Sequence, residues 1–176
     1  PNGEVWTFTI RENAQWHDGS PVTASDLKFS LDRIISVPQG LAIGRASPIA
    51  DYISSPDQIK VTEPNRLVIT TDFSAASFIV NISSVYVSVY PVTHTLELQP
   101  PSMVLHEQVV GSGPFKFRSA VSGSAYKMVR NNDYYDAMLP YLDGITYLVI
   151  PAPAVRLAGL KTQEIDMLML VTESEA

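Results

Sequence analysis

The chain has 176 residues, 45% of them hydrophobic and 17% charged, with a formal net charge of −6. That length suits one domain or two small ones and buries roughly 70% of the unfolded surface, and the composition is globular rather than disordered. There is no cysteine, which excludes disulfides, thiol catalysis and thiolate metal sites. The charge is evenly spread: residues 1–95 and 96–176 each carry six basic and nine acidic side chains. No basic patch marks a nucleic-acid footprint, and no apolar run approaches the ~18 residues of a membrane span. A strand pattern begins almost at residue 1 with no signal-peptide pattern before it, so the chain is expected to be a piece of something longer.

"VWTFTI" (5–10) alternates and is rich in β-formers, which predicts a strand. "WHDGSPVTASDLKFSLDRI" (16–34) then reads as a turn and a capped helix. Asp18-Gly19 is a turn pair and Pro21 fixes the approach. Thr23 followed by Asp26 gives a capping-box-like start, and Leu27, Leu31 and Ile34 form an apolar stripe over about 24–36. Residues 36–56 hold Gly40, Gly44 and three prolines, the mark of a long irregular loop, and such loops are often functional. "IKVTEPNRLVITT" (59–71) is a hairpin with its turn at 63–66, and "SAASFIVNI" (74–82) a short helix with Ser74 as N-cap. "VYVSVYPV" (85–92) reads as extended, ending at an edge because of Pro91.

A break at "LQPPS" (98–102) separates this half from the next. "GSGPFKFRSAV" and "SAYKMVRNND" predict two strands around a Ser122-Gly123-Ser124 turn, and "LDGITYLVI" (142–150) a third. "APAVRLAGLKTQ" (152–163) predicts a helix and "EIDMLML" (164–170) a last strand. The order strand, helix, strand suggests a parallel βαβ pair.

Candidate chemistry is sparse. His17, His94 and His106 are the only histidines, and no ligand cluster has metal-site spacing. The His17-Asp18 pair reads as a polar turn, since adjacent side chains rarely converge on one ion. "GSGPF" (111–115) lacks the Lys-Ser/Thr of a phosphate loop and reads as a strand-entry turn. Ser112 lacks a nucleophile elbow. Asp133, Asp136 and Asp143 read as solvated loop charges. Tyr86 and Tyr90 are aromatic cleft candidates.

Four stretches in order resemble the family 5 extracellular solute-binding proteins of ABC importers, which take oligopeptides, dipeptides or nickel. They are "WTFTIRENAQWHDGSPVTASDLKFSLDRI", "GSGPFKF", "NNDYYDAMLPYLDGITYLVIP" and "RLAGLKTQEIDM". The resemblance implies an α/β (mixed α+β) fold: a partial periplasmic-binding-protein-like (type II) lobe with a mixed sheet flanked by helices. Residues 1–97 would be the smaller sub-lobe of the first lobe and 98–176 a partial main sub-lobe, with the second lobe absent. It implies a binding component rather than an enzyme, needing no cofactor or metal, with a small-molecule or peptide ligand and an ABC permease as partners. The location implied is periplasmic or extracellular, with a lipoprotein tether as one form. By approximate position, Gly40, Leu41, Ile43 and Tyr86 would face the ligand. An exposed sheet edge would invite dimerisation. A ligand-sensing domain of a regulator and a hydrolase are the alternative readings. The sequence departs from the family pattern at Tyr135, where Trp is common, near Ala152, where Asp is found, and at Gln163. Gly usually closes the helix there, and a left-handed Gln163 would cost roughly 1–2 kcal/mol.

Overall fold

The structure, a computed structural model, describes residues 3–36, 49–84, 87–92 and 109–169. Its first half is built on an antiparallel sheet of β1 (Val5–Thr9), β2 (Ile59–Glu63) and β3 (Arg66–Thr70) in the order β1-β3-β2. Side chains alternate across a strand, and the register aligns Trp6 with Ile69 and Phe8 with Leu67. Ile59 and Val61 pair with Ile69 and Leu67 from the other side. One face is therefore apolar across all three strands.

Helix α1 (Ala24–Ser36) covers that face with Ala24, Leu27, Leu31 and Ile34. Ile49, Ile53 and Phe78 complete the core, and Phe78 meets Trp6 and Tyr52 at ring separations of 5.5 and 5.7 Å. Fully burying each of the large side chains Phe78, Ile49, Ile53, Ile59, Leu67 and Ile69 is worth about 1.5–3 kcal/mol before entropy is counted.

The second half carries another antiparallel sheet, β4 (Phe115–Val121), β5 (Ala125–Arg130) and β6 (Gly144–Leu148), in sequence order. The β4–β5 hairpin turns at Gly123, φ +68°, where a glycine takes positive φ without a steric penalty. Helix α3 (Pro153–Lys161) follows β6. Sheets flanked by helices give the expected α/β class.

Four local expectations need correction. The helix expected from Ser74 is α2, Phe78–Ile82, with Ser77 as N-cap and no side-chain capping bond. Residues 74–77 instead dock on the start of the chain, where Ala75 N–H donates to Gly3 O at 3.2 Å. The segment expected to be extended over 85–92 contains no strand in its described part, 87–92. Its amides are taken by α1 side chains, which replace a ladder partner. Residues 164–169 form no strand, because their first amides close the end of α3. The described ladders are all antiparallel, so the parallel pair expected from 142–170 is not formed among the described residues.

Candidate functional site

The capped start of α1 gathers hydrogen bonds from several parts of the first half. Thr23 N–H and Thr23 Oγ1–H both donate to Asp26 Oδ2 at 2.8 Å, and Asp26 N–H points back to Thr23 Oγ1 at 3.4 Å. The reciprocal pair is a capping box with Asp in the third position. Asp26 does more than cap. The buried Trp16 donates its indole N–H to Oδ2 at 3.4 Å, and Val92 N–H donates to Oδ1 at 2.8 Å. One turn on, Ser30 Oγ accepts Tyr90 N–H at 2.8 Å. Arg33 lies 5.4 Å from the Tyr90 ring centre and 5.8 Å from that of Phe29. Residues 90–92 thus hang from α1 by side-chain bonds that no local sequence pattern announces.

This arrangement leaves an apolar groove of about 500 Å³ on the first half. Its described lining is Phe8, Leu27, Leu31 and Leu67 on the floor, with Ile79, Val80 and Val87 among its walls. It can hold apolar matter, and among the described residues its lining carries no acid, base or nucleophile beyond the Ser83 hydroxyl. Tyr90, an aromatic cleft candidate, packs on α1 beside Arg33, while Val87 and Val89 face the groove. Gly40, Leu41, Ile43 and Tyr86 lie outside the described residues, as do His94 and His106.

A second, smaller concavity of about 220 Å³ lies at the seam between the two sheets, lined by Arg11, Gln15, Ser112 and Tyr135 among others. Arg11 stacks on the Tyr135 ring at 3.8 Å, and Asn13 Nδ2 donates to Tyr135 O at 3.1 Å. The tyrosine thus offers Arg11 a flat aromatic face for a cation–π contact. Neighbouring Tyr134 has its phenol pushed up to about 12, first by a hydrogen bond to Tyr135 and then by burial, so it stays protonated at neutral pH.

His17 sits at the same seam. Its backbone N–H donates to Gly111 O at 2.7 Å, and Gly111 N–H donates to Nδ1 at 3.2 Å. An N–H can be accepted only by an unprotonated ring nitrogen, so the proton is on Nε2, which donates to Gly113 O at 3.0 Å. A Cβ at position 111 would fall 3.1 Å from His17 Cε1, so a side chain there would force the ring to shift. Burial lowers the His17 pKa below its ordinary 6.5, with Lys116 adding to the shift and the Gly113 carbonyl and Asp18 opposing it.

The remaining candidates do not converge. Asp133 pairs with Lys116 at 3.1 Å, and Asp136 accepts the amide of Met138. Among the described residues no group of three His, Asp or Glu side chains could hold a metal ion. "GSGPF" is the strand-entry segment expected, with Ser112 at the seam.

The fold is of the α/β class with an apolar groove, and comparison with solved structures places it among the type II periplasmic binding proteins. A substrate-binding domain of an oligopeptide ABC transporter from Bacillus anthracis superposes with a TM-score of 0.83 at 23% identity, over 98% of this chain and 35% of that one. AgaA of A. tumefaciens R10, solved with agropinic acid, matches with a TM-score of 0.80 at 25% identity, over 94% of this chain and 32% of that one. The family model "Bacterial extracellular solute-binding proteins, family 5 Middle" matches residues 1–176. The chain belongs to the bacterial extracellular solute-binding proteins, family 5. Among its curated relatives, the periplasmic murein peptide-binding protein MppA of Escherichia coli K12 is 28% identical over 185 residues, covering 98% of this chain. The chain spans about a third of that relative's length.

Proposed function

We propose that this chain is part of the solute-capturing component of an ABC importer for peptides or related small solutes. The observation that carries the reading is the family match over all 176 residues, supported by relatives named as peptide-binding proteins and by the neighbour that holds agropinic acid. Residues 1–97 are assigned to the smaller sub-lobe of the first lobe and 98–176 to part of the main one. A second lobe closes on the solute by hinge motion. Gly40, Leu41, Ile43 and Tyr86 contribute contacts from this lobe. The whole protein works outside the cytoplasmic membrane, free or lipid-tethered, and delivers solute to a permease. A pocket buries about 70–90% of a small ligand, so one lobe alone binds weakly.

The test is calorimetric titration of the natural polypeptide carrying this sequence with a pool of two- to five-residue peptides. Binding at micromolar Kd or tighter is expected, with Leu41→Ala or Tyr86→Ala weakening it about tenfold, or ~1.4 kcal/mol. No heat with peptides or with opine-like small solutes would overturn the reading. Binding that both substitutions leave unchanged would remove those residues from the site.

A further inference from the structure

One of the groups that join the two halves at the seam is a titratable ring. We propose that His17 is a pH-operated latch: neutral, its ring ties the 111–113 loop to the 16–20 turn at two points, and on taking a proton at Nδ1 it releases the Gly111 amide. The geometry leaves no other outcome for that bond. Nδ1 accepts Gly111 N–H at 3.2 Å and Nε2–H donates to Gly113 O at 3.0 Å. A doubly protonated ring has two donors and no acceptor. It keeps the bond to Gly113, loses the one from Gly111 N–H, and sets its new N–H against that amide, while the backbone bond from His17 N–H to Gly111 O stays.

The ring and the Gly111 backbone approach so closely that a Cβ at 111 would lie 3.1 Å from Cε1, so the bond depends on glycine at this position. The charged groups that face the ring are Asp18 on its own turn and Lys116 on β4. Lys116 Nζ donates to His17 O at 3.4 Å and pairs with Asp133. Loop 109–114 contributes no charge. Asp18 accepts Ser20 N–H and Oγ–H at 2.9 and 2.6 Å, so it is engaged within its own turn.

The sign follows from linkage. Burial holds the folded-state pKa of His17 below 6.5, so the unfolded chain binds the proton more readily. The latch's contribution to stability is fully present above pH 6.5 and is lost as pH falls through the lower, folded-state value. Arg11 on Tyr135 and Asn13 on the Tyr135 carbonyl carry no titrating partner of this kind, so acidification loosens the seam without parting it. The family is extracellular, which exposes the latch to the pH of the medium. The inference holds whatever solute the chain binds.

The test is nitrogen-15 NMR of the His17 ring together with hydrogen exchange at the Gly111 amide, corrected for intrinsic exchange, between pH 7.5 and 5. A neutral ring with bare Nδ1 is expected at pH 7.5, titrating below 6.5. Gly111 protection should fall about tenfold on the same midpoint, the upper scale of one net hydrogen bond. His17→Gln can accept with its oxygen and donate with its amide, so its Gly111 protection should not change with pH. Wild-type Gly111 protection that is equal at both pH values overturns the latch. So does the same pH dependence in His17→Gln. The wild-type titration decides the matter even if the variant does not fold.

Discussion

Asp26 is 7% exposed and accepts from Thr23 twice, from Trp16 and from Val92. A carboxylate is acceptor-only, so every near donor is matched. Asparagine in its place would turn an NH2 group toward N–H donors and remove the charge that strengthens each bond. Asp26→Asn is therefore expected to cost about 2–4 kcal/mol, read as a lower midpoint in urea unfolding. A change under about 0.5 kcal/mol would show that these bonds contribute nothing net. The capping role of this residue is written locally in Thr23-x-x-Asp26. Its hold on Val92, 66 positions away, is not, because no pattern in 85–92 names a side-chain partner in place of a strand.

At the scale of elements, the end of α3 shows a departure from the family pattern being absorbed at a price. Gln163 adopts φ +63°, the left-handed conformation the sequence made a question. Glu164 N–H donates to Gly159 O at 2.9 Å and Gln163 N–H to Leu160 O at 3.2 Å, the paired bonds of a Schellman close. Ile165 folds back over Gly159, where a Cβ would lie 2.8 Å from Ile165 Cδ1. The helix end keeps its form and Gln163 bears the strain. Gln163→Gly should raise stability by about 0.5–1 kcal/mol, the left-handed penalty less the entropy of the freer unfolded glycine. The melting temperature would rise by about 1–4 °C, whereas Gln163→Ala, which keeps its Cβ, should not rise. A fall with glycine would place the helix end in another geometry. Elements with local signals were legible: α1, both hairpins and α3 lie where period, cap and turn residues put them. Residues 164–169 misled because an apolar run states a need for burial, not which partner meets it. His17 reads from its neighbours as a polar turn residue, and the structure places it in that turn. Its hold on Gly111 depends on a contact 94 positions away, and only the close approach that glycine permits at 111 hints at it.

Across the whole molecule the two sheets differ in what they bury. The first encloses six large, fully buried apolar side chains. In the second half the buried described residues are Asn131, Pro140 and Gly159. Met138, Tyr141 and Leu148 there stand 74%, 80% and 51% exposed. A three-stranded sheet needs an apolar face packed against something to be stable on its own, so β4–β6 calls for cover. The relatives, about three times as long, supply chain enough to provide it. That asymmetry separates the two halves: the first closes its own apolar core, and the second leaves large apolar side chains in the open. The most direct measurement is the intact mass of the natural gene product, recovered outside the cytoplasmic membrane. The account predicts a polypeptide of about three times the 19.3 kDa of this chain. A natural product of 19.3 kDa, stable and monomeric, would contradict it.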